Sequence, residues 1–219
     1  MEYGILFFLE MAFLYFGLKE KKIWAQILFP ILILFTRIDT VIFLGIVGLV
    51  DIFWNRKINW FFVLGGVLGV ISVVSFNWFY FGELVNNTIV AKSVTYAKNI
   101  SFNLQWKYFL LNYGNYWGML KLPGDFNPFT ILVLIFEMVC FIYLVSKSKE
   151  RNYFLWIIFL FAWVKQLVFI SQRSYFDWYY WVPQILLFSV VLVFILEQKT
   201  QKILWISLLL IFYILPMMA

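Results

Sequence analysis

The chain has no histidine among its 219 residues, a single cysteine, and charged side chains at only 13% of positions. Without histidine there is no His-ligated zinc site, no Ser-His-Asp or Cys-His catalysis and no histidine proton relay. Any metal would have to be held by carboxylates and water, which suits magnesium or manganese better than zinc. Cys140 stands alone inside an apolar run, so no disulfide framework exists. Walker, Rossmann and kinase motifs are also missing, as are internal repeats and low-complexity segments. The scarcity of charge restricts the chain most, because a soluble domain of this length needs a polar shell.

What the chain has instead is 64% hydrophobic residues and a mean hydropathy of +0.90. Apolar runs of about 14 to 23 residues recur along it, separated by short charged clusters. In a bilayer the backbone must satisfy its own hydrogen bonds, so such runs read as helices. The expected fold is an all-α polytopic transmembrane bundle in a single domain, 1–219. About eight spans are expected, over 3–18, 23–36, 40–54, 59–80, 129–147, 153–171, 181–197 and 202–218. Tryptophan and tyrosine gather near the ends of these runs, as interfacial anchors do. The loop 81–128 is expected to carry an interfacial amphipathic helix through Trp106-Lys107-Tyr108-Phe109 and Tyr116-Trp117.

The net charge of +6 does not point to nucleic acid, because the basic residues sit in short clusters between spans. Alternation from an outside N-terminus puts Lys19/Lys21/Lys22, Arg56/Lys57, Lys147/Lys149/Arg151 and Lys199/Lys202 on the cytoplasmic side. The loop 81–128 is then extracytoplasmic. Reading 23–54 as one span would bury Arg37 and Asp39 in mid-membrane and expose every later basic cluster outside. The two helices expected there reach only about 21–23 Å, against a hydrocarbon core of about 30 Å. The turn Thr36-Arg37-Ile38-Asp39-Thr40 is therefore expected in a recess below the outer surface. Local bilayer thinning is the alternative.

Charged residues inside spans are costly and mark candidate sites. Glu10, Glu137 and Lys165 qualify, lying about 10, 12 and 9 Å from the outer ends of their spans. Together with Arg37 and Asp39 they suggest a polar cavity opening away from the cytoplasm. Plainer readings stand beside this one. Glu137 and Lys165 could merely pair two helices, Lys165 could snorkel outward, Glu10 could hydrogen-bond a neighbouring helix while protonated, and Arg37/Asp39 could be a capped turn. Asp51, one turn from the cytoplasmic end, reads as interfacial.

Four stretches, in order, carry a family resemblance. Met1-Glu2-Tyr3-Gly4 runs into an aliphatic helix and a basic cluster. Leu34-Phe35-Thr36-Arg37-Ile38-Asp39-Thr40 matches a Leu-Thr-Arg-Pro-Asp/Glu-Gly turn, with Ile38 and Thr40 replacing Pro and Gly. Tyr80-Phe81-Gly82-Glu83-Leu84-Val85-Asn86-Asn87-Thr88-Ile89-Val90-Ala91-Lys92 matches Tyr-Tyr-Gly-Asp-x-x-Pro-Asn-Thr-x-x-Ala-Lys, with Asn86 in place of Pro. Phe176-Asp177-Trp178-Tyr179-Tyr180-Trp181-Val182-Pro183 matches a Trp-Tyr…Pro start to a late span. The chain thus resembles bacterial C-type membrane glycosyltransferases, nearest the arabinofuranosyltransferase and protein-mannosyltransferase-like branches.

That resemblance implies transfer of a sugar from a polyprenyl-phosphate donor, with inversion, to a glycan, lipid or protein acceptor of the cell envelope. It implies a bacterial plasma-membrane location with the active face outside. The donor phosphate needs cations, with Arg37, Lys92, Lys165 and Arg173 available, and the acceptor hydroxyl needs a carboxylate base. The family's catalytic Asp precedes the segment matched by Met1–Gly4, so upstream spans are expected to be missing. Asp39, Asp177 or Glu83 would substitute only in a rearranged site. A transporter or flippase of lipid-linked glycans, or a non-catalytic membrane subunit, is the rival class.

Overall fold

The computed structural model describes residues 2–84, 128–147, 149–171 and 178–198, and the chain divides into two compact units, Met1–Ala97 and Lys98–Ala219. Every described element is helical. The first unit holds α1 (Glu2–Ala12), which passes directly into a π-helical segment, Phe13–Lys19, followed by α2 (Ile23–Thr36), a 3-10 turn (Ile38–Thr40), α3 (Val41–Asn55) and α4 (Trp60–Phe81). The second holds α5 (Pro128–Lys147), α6 (Lys149–Ser171) and α7 (Trp178–Glu197). These helices fall on the expected apolar runs, with ends shifted by a few residues. The run 202–218 and most of the loop 81–128 lie outside the described residues.

Among the described residues, three stretches are long and apolar enough to cross a membrane: Ile38–Asn55 with 18 residues, Trp60–Phe81 with 22 and Asn152–Phe169 with 18. Ile23–Thr36 and Val182–Glu197 are apolar but shorter. The 3-10 turn matters for the first of these. Stacked on α3, it lengthens the helical rod to about 28 Å, close to the hydrocarbon thickness of about 30 Å. Of the two helices expected to be short, only α2 remains so.

Burial is inverted relative to a water-soluble fold. Phe79 is 86% exposed, Phe53 81% and Trp60 70%, whereas Glu10 and Lys165 are fully buried and Glu137 is 1% exposed. Water would drive the opposite arrangement. Apolar surroundings favour this one, because ionisable groups then face protein.

In the first unit α2 and α4 pack in parallel on a small-residue stripe. A Cβ built on Gly65 lands 2.7 Å from the carbonyl oxygens of Gln26 and Ile27 and 2.8 Å from Ile27 Cα. One turn on, a Cβ on Gly69 lands 2.7 Å from Leu34 Cδ1, 3.1 Å from Ile31 Cα and 3.2 Å from the Pro30 oxygen. Only glycine permits so close a backbone approach, the logic of a small-xxx-small helix pair. Pro30 contributes as well. It has no N–H, so the Gln26 carbonyl loses its helical donor, and that carbonyl faces the Gly65 Cα.

The π segment turns on Phe13, which is fully buried. Its ring stacks on Phe62 at 5.5 Å and meets Phe43 edge-on at 6.3 Å, tying the π segment to α3 and α4. The wider π turn gives that ring room beside Gly17, where a Cβ would come within 2.6 Å of it. The Gly17 carbonyl, near the end of the helix, accepts a buried hydrogen bond of 2.9 Å from Gln26 Nε2. At the far end of α4, Gly82 takes the left-handed conformation (φ 73°) and donates its N–H to the Trp78 carbonyl at 3.0 Å, closing the helix.

In the second unit the three helices all touch one another. Phe141 stacks on Phe159 at 3.8 Å and meets Trp156 edge-on at 5.0 Å, which fastens α5 to α6. Asn152 Nδ2 donates to the Val145 carbonyl at 2.8 Å, capping the end of α5 from the start of α6. Tyr143 meets Phe194 edge-on at 5.0 Å, fastening α5 to α7.

Candidate functional site

Two clusters of polar side chains are built into these units. In the first unit the turn between α2 and α3 is made by its own side chains. Arg37 is extended (φ −158°, ψ 126°), which ends α2, and its N–H still reaches the Ile33 carbonyl at 3.1 Å. Thr36 Oγ1 donates to the Leu32 carbonyl at 2.8 Å. The fully buried Thr40 donates its hydroxyl to the Ile33 carbonyl at 3.2 Å and also contacts the Arg37 carbonyl. Against this frame Arg37 and Asp39 make a two-pronged ion pair, Nε to Oδ1 at 2.8 Å and Nη2 to Oδ2 at 3.2 Å. Their side chains are 17% and 22% exposed.

This geometry fixes the guanidinium plane, since a planar fork held along one edge cannot rotate. It also occupies both oxygens of Asp39. Glu83 is exposed just beyond Gly82. Glu10 is sealed inside the unit, one turn before the π segment. Asp51, expected at the interface, is buried at 8% exposure and accepts from Asn55 Nδ2 at 2.6 Å.

The second unit carries a buried polar layer. Reckoned from the start of α5, the end of α6 and the start of α7, Glu137 lies about 13 Å in, Lys165 about 9 Å, Gln166 about 7 Å and Gln184 about 9 Å. Their exposures are 1%, 0%, 0% and 4%. Lys165 does not snorkel. Its Nζ lies 5.0 Å from the Phe161 ring centre, so the side chain folds back along α6 away from the nearer helix end. Gln166 Nε2 donates to the Ala162 carbonyl at 3.1 Å, while Gln166 Oε1 and Gln184 Nε2 have no hydrogen-bond partner among the described residues.

Reasoning from charge missed the two glutamines and also Gln26 and Asn77, which are 6% and 7% exposed. A neutral amide within an apolar run was the available signal, and its face on the helix would have separated buried from lipid-facing positions. Among the described residues no three Asp, Glu, Cys or His side chains come together. Lys92, Arg173 and Asp177 lie outside the described residues. Arg37, Asp39, Glu10 and Glu83 belong to the first unit, Glu137 and Lys165 to the second.

No protein-family model matches this chain, and neither a curated protein nor a solved structure does.

Proposed function

We propose that the chain is an integral membrane protein of the C-type glycosyltransferase kind, acting on a polyprenyl-phosphate sugar at the extracytoplasmic face. The observation that carries this reading is the Arg37–Asp39 turn, a cation locked in orientation between two apolar helices. The order of the four sequence stretches supports it, as does the burial of ionisable groups inside helices that expose aromatic and aliphatic side chains.

In this reading Arg37 holds the donor phosphate and Asp39 orients Arg37. The acceptor hydroxyl attacks the anomeric carbon, the bond from that carbon to the phosphate oxygen breaks, and polyprenyl phosphate leaves with the electron pair. The hydroxyl proton passes to a carboxylate base.

The test is transfer from a labelled polyprenyl-phosphate sugar, with wild type and Arg37→Ala assayed in the same vesicles. Loss of charge-assisted hydrogen bonds worth about 2 kcal/mol weakens donor binding roughly thirty-fold. Unchanged turnover and donor affinity in Arg37→Ala would remove the phosphate assignment. Movement of intact lipid-linked sugar across the bilayer, without cleavage, would favour the flippase class.

A further inference from the structure

Arg37 aside, the basic residues described in the first unit gather in two turns away from the Arg37–Asp39 pair. Lys19, Lys21 and Lys22 occupy the turn from the π segment to α2, and Arg56 and Lys57 the turn from α3 to α4, and all are exposed. The glycine contacts put these two turns side by side. Gly65 sits against Gln26 and Ile27, so the crossing lies about 5 Å along α2 and about 7 Å along α4, each counted from its own start. The starts of the two parallel helices are therefore level, within a few ångströms. Five cations share this end with one turn carboxylate, Glu20, and with Asp51, which is buried and engaged by Asn55. The opposite end of the unit has Arg37 paired to Asp39, together with Glu2 and Glu83.

Two further observations bear on what covers this end. It is ringed by amphipathic aromatics, with Tyr15 47% exposed, Trp24 54%, Trp54 45% and Trp60 70%. Such rings sit at the headgroup level of a bilayer. Moreover, the non-glycine residues with positive φ among the described residues are Lys21 (φ 52°) and Arg56 (φ 51°), one in each turn. Glycine is the easy residue at such positions, yet both hold cations, one in each of the two turns.

We propose that this end of the first unit is a docking surface for the phosphate headgroups of anionic phospholipids. The two turns present a joint cationic face and the aromatics anchor at the adjoining glycerol level. Charge accounts for the choice of headgroup, since a zwitterionic lipid offers the same apolar chains and no net attraction. The proposal rests on the membrane placement of the chain and not on sugar transfer. Alkaline-carbonate extraction of membranes tests that placement separately.

The experiment measures lipid binding to the detergent-purified full chain, by tryptophan fluorescence and by native mass spectrometry. The probes are phosphatidylglycerol, phosphatidylcholine and inorganic phosphate. Each cation near an anionic surface is worth about five-fold in affinity, so phosphatidylglycerol should bind at least ten-fold more tightly than phosphatidylcholine. High salt should erase the preference. The variant Lys21→Gln/Lys22→Gln/Arg56→Gln/Lys57→Gln should lose it, and Lys21→Arg/Lys22→Arg/Lys57→Arg, which keeps the charge, should retain it. If the neutral variant does not fold, the charge-keeping variant and the salt titration of wild type decide. Equal binding of the two lipids, or a preference that survives high salt, would overturn the proposal. Full competition by inorganic phosphate would overturn it too, by identifying a free-anion site.

Discussion

Substituting alanine for Gly65 tests the way the first unit is held together. The new Cβ would lie 2.7 Å from two carbonyl oxygens of α2 and 2.8 Å from a Cα of the same helix. Ordinary contact begins near 3.4 Å, so α4 must withdraw by about 0.7 Å along its crossing with α2. All three obstructing atoms are backbone, and no rotamer change relieves them. Overpacking of this kind costs about 3 kcal/mol, at the upper end of the usual range. Alanine returns about 1 kcal/mol through its better helix propensity, leaving a net loss of about 2 kcal/mol. Gly69→Ala should cost less, because its closest neighbour is the movable Leu34 Cδ1. Gly66 has nothing within 4 Å, so Gly66→Ala should stabilise by up to about 1 kcal/mol. Thermal unfolding in detergent, followed by tryptophan fluorescence, should rank the midpoints Gly66→Ala, wild type, Gly69→Ala, Gly65→Ala from high to low. A Gly65→Ala protein as stable as Gly66→Ala would refute the parallel crossing.

Further outcomes follow from the same contacts. Gln26→Leu leaves the buried Gly17 carbonyl without its 2.9 Å donor, which should cost about 1–2 kcal/mol and speed amide exchange across Phe13–Lys19 selectively. Gly82→Ala puts a side chain at φ 73° in open space; the strain alone should cost about 1 kcal/mol and fray the end of α4. Lys21→Gly and Arg56→Gly relax left-handed positions, so each should raise stability by about 0.5–1 kcal/mol while lowering the preference for anionic lipid. A fall in stability with unchanged lipid preference would show that these cations serve the turns alone.

The positions of the helices were legible because long apolar runs leave the backbone no alternative. What tertiary packing decides was not. The π segment arises where the Phe13 ring must fit beside Gly17, a demand set by Phe43 and Phe62 on other helices. The Gly65-x-x-x-Gly69 stripe was present in the sequence, but nothing there named α2 as its partner or gave the parallel sense. At the turn, sequence picked out Arg37 and Asp39, and the structure joins them in a bidentate pair. Glu10, Glu137 and Lys165, singled out by charge, are all buried. Charge was blind to Gln166 and Gln184, whose neutral amides share the layer with Lys165. Lys165, for which snorkelling was one reading, instead lies over the Phe161 ring, with Nζ 5.0 Å from its centre.

A bilayer crossing by Ile38–Asn55 carries the Arg37–Asp39 turn to one face and the Arg56–Lys57 turn to the other. The direct measurement is labelling by a membrane-impermeant thiol reagent in intact cells, with single cysteines at Ile38→Cys and Lys57→Cys in a Cys140→Ser background. Ile38 is 39% exposed and Lys57 is exposed, so each can report once its face is reached. Ile38→Cys should label without permeabilisation and Lys57→Cys only after it. Equal labelling of the two positions before permeabilisation would mean that Ile38–Asn55 does not cross the bilayer.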